Sequence, residues 1–235
     1  MPKVTILFDN HNPDGGERSL WGFAAYVHEH KLLFDTGSNG RVLLRTMERL
    51  GIDIAEVERL FVSHEHWDHI GGIDSVIEAN PRLQIFAPRS LSKNMIADLR
   101  TQSREVIVCR GTPMPIGNGL YSTGVQGKLT PEHALIVDGF DPMVITGCGH
   151  YGIDRIVRRA ANILDKPIRT VIGGFHLHNT PIEEIEEKIS ALKNSGVQQV
   201  MPTHCSGNEA IERFRRGFGE GFYDGGIGAV LANNK

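Results

Sequence analysis

The amino-acid sequence predicts an α+β protein whose core consists of two β-sheets with helices on the outside. Two patterns support this fold class: short apolar strands pair as hairpins, and the second half of the chain alternates strands with helices. The chain has 235 residues, of which 40% are hydrophobic, enough for one sizeable core but short for two independent ones. We therefore predict a single domain over residues 1–235.

The first half of the chain supplies most of the predicted strands. Apolar runs predict strands at residues 4–8, 22–27, 31–35, 60–62, 83–87, 106–108 and 120–123. The second and third of these form a hairpin around residues 28–30. The spacing of apolar residues predicts helices at residues 41–50, 73–79 and 91–99. Gly51 ends the first helix, and Asn80-Pro81 ends the second.

The second half of the chain contains the longer helices. A hairpin is predicted from residues 133–137 and 143–146. Further strands are predicted at residues 169–172, 197–201 and 228–231, and helices at residues 153–164, 180–195 and 208–216. The helix at 153–164 has its apolar residues on one face. Thr180 and Glu183 have the spacing of a capping box, in which each side chain binds a backbone N–H group at the helix start.

Residues 64–72, His-Glu-His-Trp-Asp-His-Ile-Gly-Gly, carry the strongest functional pattern of the chain. Side chains two residues apart in an extended chain point to the same side, so His64 and His66 can bind one metal ion together. Asp68 and His69 follow where the chain is expected to turn into a helix, and Asp is favoured at a helix start. There they can face a second metal ion, while the two glycines allow close backbone approach.

Burying so many polar groups without a metal ion or a full set of partners would be costly. Imidazole and carboxylate ligands suit zinc, and also iron or manganese. The pattern therefore predicts a site for one or two Zn²⁺ ions, with iron or manganese as alternatives.

The motif His64-x-His66-x-Asp68-His69 resembles the signature of the metallo-β-lactamase superfamily. Three further segments resemble the subgroup that contains the archaeal dihydropterin-ribofuranosylaminobenzene phosphate synthase, and they lie at residues 146–150, 173–177 and 202–207. The resemblance covers nearly the whole chain. It implies the αββα sandwich of that superfamily, in which two mixed sheets pack face to face with helices outside.

The resemblance also implies which residues bind the metal ions. The expected ligands of the first and the second ion are, respectively, His64, His66 and His150, and Asp68, His69 and His204. Asp35, in an Asp-Thr-Gly element after a strand, is expected to support the ligands from behind. The residue pattern alone is equally compatible with a turn Asp that caps the following helix.

Two further residues have more than one interpretation. Cys148 stands where most members of the superfamily carry an Asp that bridges the two metal ions. It is therefore either a bridging or supporting ligand, or a small buried apolar residue. His176 follows another predicted strand and can bind metal, act as an acid or bind the substrate. Cys205, next to His204, is interpreted as a packing residue.

A centre of this kind indicates a class of reaction. Two cations roughly 3.5–4 Å apart can hold a hydroxide and clamp the reacting group, with Asp68 and His176 as proton carriers. Trp67, Tyr151 and Phe175 are candidate walls of a substrate pocket. We predict a hydrolase of a small-molecule ester, lactone, thioester or phosphoester. The alternatives are a dihydropterin-linked transferase, like the synthase of the subgroup, and a metal-binding sensor without turnover.

Composition argues against several other functions. The net charge of −3 gives no indication of a nucleic-acid surface, and no apolar run is long enough for a transmembrane helix. The first strand is too short for the apolar core of a signal peptide, and the three cysteines do not suggest a disulfide framework. We therefore expect a cytoplasmic protein that acts on a small-molecule substrate and binds neither nucleic acid nor a membrane.

Overall fold

The computed structural model describes residues 2–13 and 19–232. The chain divides into two compact units. The first unit comprises Pro2–Arg110 and Gly226–Lys235, and the second unit comprises Gly111–Gly225. Each unit contains one mixed β-sheet with helices, which confirms the predicted α+β class. The single domain over residues 1–235 stays a prediction.

Within the described residues, the sheet of the first unit has seven strands. In chain order they are β1 (Val4–Phe8), β2 (Ala24–Val27), β3 (Leu32–Phe34), β4 (Arg59–Phe61), β5 (Gln84–Pro88), β6 (Glu105–Cys109) and β13 (Val230–Leu231). The order across the sheet is β13-β1-β2-β3-β4-β5-β6. Neighbours from β13 to β3 are antiparallel, and those from β3 to β6 are parallel. The sequence predicted each of these strands, β1 with the same ends and the others with slightly shifted ends.

The helices of the first unit are α1 (Gly40–Arg49), α2 (Trp67–Ile70), α3 (Ile73–Ala79) and α4 (Lys93–Gln102). Helix α1 begins at Asn39, whose side chain accepts a hydrogen bond from the Val42 N–H group. Its apolar face places Leu43 and Met47 in a core that also contains Leu60 of the sheet. Full burial of such a side chain contributes about 1.5–3 kcal/mol, so this face holds the helix on the sheet.

Among the described residues, the sheet of the second unit has six strands. They are β7 (Met114–Gly117), β8 (Leu120–Ser122), β9 (Leu135–Val137), β10 (Met143–Thr146), β11 (Thr170–Gly174) and β12 (Gln199–Thr203). Strands β7 to β10 form an antiparallel meander, and β10, β11 and β12 are parallel neighbours. Strand β7 was not predicted, because Pro115 and Gly117 weaken a strand pattern. Both residues are tolerated there since β7 lies at the sheet edge.

The helices of the second unit are α5 (Ile153–Leu164), α6 (Ile182–Asn194) and α7 (Asn208–Phe218). Helices α5 and α6 connect the parallel strands, as a parallel connection requires. The predicted capping box at Thr180 and Glu183 is wrong. Helix α6 has Pro181 as its N-cap and no side-chain cap bond, because the helix begins one residue later than the box requires. No helix in the described part of the chain is both long and apolar enough to span a bilayer.

The candidate site residues of each unit follow strands in the parallel part of its sheet. The carboxyl ends of neighbouring parallel strands lie at the same sheet edge, where side chains that follow the strands can meet. The parallel strands are β3 to β6 in the first unit and β10 to β12 in the second, and candidate site residues follow β3, β4, β10, β11 and β12.

Candidate metal centre

In the first unit, the candidate ligands lie in the short connection from β4 to α2. His66 is the N-cap of α2, which begins at Trp67, a residue whose side chain is 63% exposed. The helix predicted after the histidine pair is thereby confirmed. The predicted Asp cap is wrong, because the helix begins one residue before Asp68 and places that carboxylate in its first turn.

The four candidate ligands of this connection lie close together. The ring centroids of His64 and His66 are 4.6 Å apart, and those of His64 and His69 are 4.2 Å apart. The Nε2 atom of His69 lies 3.5 Å from Oδ2 of Asp68. His64 and His69 are fully buried. Three imidazoles and one carboxylate are therefore concentrated in one turn, in which His64, Asp68 and His69 are buried and His66 is half-buried.

Asp35, which follows β3, organises two of these histidines. Its Oδ2 atom accepts hydrogen bonds from Nδ1 of His69 at 2.7 Å and from the Ser63 hydroxyl at 2.6 Å. Its Oδ1 atom accepts from the Ser63 backbone N–H at 2.7 Å. Because the Ser63 hydroxyl donates to Asp35, it accepts from Nδ1 of His64, 2.8 Å away. These bonds engage Nδ1 of both rings, so Nε2 is the nitrogen through which either ring could bind a metal ion, a common arrangement for ligand histidines.

Asp35 does not cap the following helix, because Asn39 occupies that position. The neighbouring Thr36 ties the same loop to α2. Its backbone N–H donates to the His69 carbonyl at 2.8 Å, and its hydroxyl accepts from the Gly72 N–H at 3.2 Å. A Cβ atom on Gly72 would lie 2.4 Å from the Thr36 carbonyl oxygen, so this approach requires glycine.

In the second unit, the candidate ligands follow three adjacent parallel strands. Cys148 and His150 come after β10, His176 comes after β11, and His204 and Cys205 come after β12. The rings of His150 and His176 are 4.3 Å apart between centroids. The parallel topology therefore brings together side chains that are far apart in the sequence.

Two thiols and an imidazole form a tight group in this unit. Potential ligand atoms of Cys148, His176 and Cys205 all lie within 4.8 Å of one another. The hydrogen bond with Cys205 raises the pKa of His176. Hydrogen bonds with Cys148 and His176 lower the pKa of the Cys205 thiol well below its usual range. Cys205 is buried, as expected of a packing residue, and its thiol also contacts Cys148 and His176.

Two supporting residues were missed in the sequence analysis. Ser63 connects Asp35 to His64. Its position directly before the histidine motif could have indicated this role. Glu132 hydrogen-bonds the backbone of the Cys148–His150 loop from 16 to 18 residues away. No local pattern indicates such a contact, because its partners are backbone groups that every sequence has.

Beside its histidines, the second unit has an open cleft of about 840 Å³. The cleft is lined by His150 and His176, together with Tyr151 and Arg155. The Arg155 guanidinium lies 5.7 Å from the centre of the Tyr151 ring. Phe175, which was expected to be a pocket wall, is only 1% exposed and belongs to the core of the unit. Its ring packs edge-on against Phe214 of α7, with the ring centroids 5.2 Å apart.

The chemistry of these side chains fits a transition-metal ion. Imidazole, carboxylate and thiolate are the usual ligands of zinc, and imidazole with carboxylate also suits iron or manganese. The hydrogen bonds that the rings of His64 and His69 donate to Ser63 and Asp35 orient both imidazoles. The residues of each unit are thus suited to hold a metal ion.

Comparison with known protein families agrees with this chemistry. The sequence model of the metallo-beta-lactamase superfamily matches residues 19–83, which include the histidine motif. The chain is 25% identical to the 7,8-dihydropterin-6-methyl-4-(beta-D-ribofuranosyl)-aminobenzene-5'-phosphate synthase of Methanocaldococcus jannaschii, over 82% of this chain and 81% of the relative. It is 21% identical to the hydroxyacylglutathione hydrolase of Photorhabdus laumondii, over 67% of this chain and 68% of that relative.

Two solved structures are similar to this chain over all or nearly all of its length. A metal-dependent hydrolase of the beta-lactamase superfamily has a TM-score of 0.84 and 26% sequence identity, with full coverage of both chains. A metallo-beta-lactamase fold protein from Bacillus subtilis has a TM-score of 0.70 and 16% identity, and the match covers 98% of this chain and 99% of that one. In its fold, its histidine motif and these likenesses, the chain is similar to proteins of the metallo-β-lactamase superfamily.

Proposed function

We propose that this protein is a metal-dependent hydrolase of a small-molecule ester, lactone, thioester or phosphoester. The metal ions, zinc or in its place iron or manganese, are bound through six residues: His64, His66, Asp68, His69, His150 and His204. When bound, such ions activate water and stabilise the negative charge that develops on the substrate. The observation that carries the proposal is the buried histidine turn of the first unit, with two rings oriented by one carboxylate.

Structural metal sites are usually closed by four protein ligands, whereas catalytic sites keep a position open for water or substrate. Here candidate ligands stand next to an open cleft that His150 and His176 both line. A site that opens onto such a cleft favours an enzyme over a metal sensor. The cleft has room for a small molecule, and Tyr151 offers an aromatic surface to it.

Two side chains of this chain are proposed to move protons. Asp68 carries a carboxylate in the buried turn, 3.5 Å from Nε2 of His69. His176 lies at the cleft, and its raised pKa favours the protonated ring, which can donate a proton to a leaving group. Cys148 is proposed to bridge or support the metal ions.

The test is turnover by metal-loaded protein on one representative of each substrate class: an aryl ester, a lactone, a thioester and a phosphodiester. The expected result is hydrolysis of at least one of them, lost on treatment with a chelator and restored by zinc, iron or manganese. His64→Ala is the control, because it removes a ligand and should be inactive on every substrate. Metal-loaded protein that hydrolyses none of the four would contradict the proposal.

A second candidate function rests on the relative from Methanocaldococcus jannaschii, which matches four fifths of both chains. The relative's name describes a synthase, so the same metal ligands would serve a transfer reaction. Incubation of the metal-loaded protein with precursors of the dihydropterin compound that names the relative distinguishes a synthase from a hydrolase. Formation of that compound, without hydrolysis of the four test substrates, would replace the hydrolase proposal with the synthase.

A further inference from the structure

One buried carboxylate holds the loop that carries His150. The backbone N–H groups of three consecutive residues donate to Glu132, from Cys148 to Oε1 at 2.9 Å, from Gly149 to Oε1 at 3.0 Å and from His150 to Oε2 at 2.8 Å. Glu132 is only 2% exposed. Hydrogen bonds to a carboxylate are roughly twice as strong as those between neutral groups. The three bonds therefore fix the backbone of this loop firmly.

The sheet itself places Glu132 at this loop. Strand β9 pairs antiparallel with β10, and Leu135 is the register partner of Ile145. The residues just before β9 therefore lie beside the residues just after β10. The backbone of Glu132 is held by two hydrogen bonds with Gln126, each 2.8 Å long. The backbone of Glu132 is thus held in place, and its carboxylate reaches the loop from there.

The loop conformation depends on this carboxylate. Successive N–H groups of a strand point to opposite sides, so three of them converge only where the chain leaves the strand. Gly149 makes the change of direction with φ of +72°, and a Cβ atom there would lie 2.9 Å from the Gly174 carbonyl oxygen. Convergent N–H groups of this kind form a concave anion site, which Glu132 fills.

We propose that Glu132 is a positioning residue for the metal ligand His150, and that it acts through the backbone of the Cys148–His150 loop. The inference rests on the proposed function, since it takes His150 as a metal ligand. Glu132 in the second unit and Asp35 in the first unit are both buried carboxylates that orient candidate metal ligands. The difference is that Asp35 orients imidazole rings, whereas Glu132 orients the peptide that carries one.

The test compares Glu132→Gln with wild-type protein. Gln has nearly the same shape but replaces one carboxylate oxygen by an NH₂ group, which cannot accept a hydrogen bond from the loop. The expected result is a loss of zinc affinity of about 10- to 100-fold, the usual effect of removing a partner behind the metal ligands. Affinity is measured by competition with a chromophoric chelator, and unfolding of the metal-free proteins is measured in parallel.

Asp154→Asn is the matched control. Asp154 lies in the same unit, in the first turn of α5 shortly after the loop, and its carboxylate pairs with Lys188 of α6 at 2.9 Å. This variant tests whether loss of a structural carboxylate is enough to weaken zinc binding. It should retain wild-type zinc affinity whatever stability it loses.

Three outcomes decide the matter. Weaker zinc binding by Glu132→Gln, with wild-type affinity in Asp154→Asn, supports the positioning role. A folded Glu132→Gln protein with wild-type zinc affinity would overturn that role and leave the hydrolase proposal intact. Wild-type protein that binds no metal would overturn the proposed function, and the role of Glu132 with it.

If Glu132→Gln does not fold, amide hydrogen exchange of the wild-type protein gives the answer. The Cys148, Gly149 and His150 amides should then exchange as slowly as those of β10. Fast exchange of these three amides would show that Glu132 does not hold the loop.

Discussion

The two units of this protein offer metal ligands in contrasting ways. In the first unit, the four candidate ligands occupy one strand–helix turn, and Asp35 hydrogen-bonds an imidazole ring and the hydroxyl that orients a second ring. In the second unit, the candidate ligands follow three different strands, and Glu132 hydrogen-bonds only backbone N–H groups. One unit fixes side chains within a local turn, and the other fixes a loop on a sheet edge.

This difference has an energetic consequence. When a ring nitrogen loses its hydrogen-bond acceptor, the orientation of the candidate ligand ring changes directly. When a backbone N–H group loses its acceptor, the ligand is affected only through the flexibility of its loop. The first unit should therefore be the more sensitive of the two to a single substitution behind the ligands.

The largest effect is expected from Asp68→Ala. This change removes both a candidate metal ligand and a proposed proton carrier, so turnover on any confirmed substrate should fall by at least about 10²-fold. The fold should survive, because Asp68 lies in the first turn of a four-residue helix and is not part of the apolar core. The measurement is kcat beside thermal unfolding. A variant with wild-type kcat would remove Asp68 from the mechanism.

Asp35→Asn tests the comparison between the units directly. The new NH₂ group faces either His69 Nδ1–H or the Ser63 donors, so one or more buried hydrogen bonds are lost. We expect a loss of zinc affinity larger than that of Glu132→Gln, and a loss of about 1–3 kcal/mol in the free energy of unfolding of the metal-free protein. Chelator competition and denaturant titration measure the two quantities.

The control for this prediction is Asp53→Asn in the same unit. Asp53 is exposed, and its side chain accepts a hydrogen bond from the Ala55 N–H that Asn can accept equally well. Both measured quantities should stay near the wild-type values. Equal or smaller loss of affinity in Asp35→Asn than in Glu132→Gln would show that the contrast between the units is mistaken.

The cysteines give a chemical contrast between the units. The thiols of Cys148 and Cys205 lie within 4.8 Å of each other in the second unit, whereas Cys109 is buried in the first. In metal-free protein, hydrogen peroxide should join the pair as a disulfide, with two thiols consumed and two waters formed. Mass spectrometry should show the loss of two hydrogens, with Cys109 still alkylated after denaturation. A Cys148→Ser protein should form no internal disulfide, and a link to Cys109 in the wild type would refute the pairing.

The smallest effect concerns the helix starts. Asn39→Ala should lower the free energy of unfolding by about 1 kcal/mol, since it removes the side-chain cap of α1. Thr180→Ala should change it by less than about 0.5 kcal/mol, because α6 has no side-chain cap bond. Denaturant titration of both variants tests the pair. A cost for Thr180→Ala as large as that for Asn39→Ala would restore the predicted capping box.

Much of the first unit could be predicted from the sequence because its information is local. The motif from His64 to His69 lies within one turn, and its preceding strand and following helix have clear patterns. The second unit was predicted less completely. The contacts of Cys205 with Cys148 depend on the order of parallel strands, and Glu132 is joined to its loop by the β9–β10 register. Neither strand order nor register is encoded in a pattern along the chain.

The central claim is that this protein binds catalytic metal through six named residues. Its most direct test is anomalous diffraction from crystals of protein purified without chelators, recorded at the absorption edges of zinc, iron and manganese. We expect one or two anomalous peaks, coordinated by His64, His66, Asp68, His69, His150 and His204. Crystals without any such peak, or a metal ion with neither His150 nor His204 among its ligands, would contradict it.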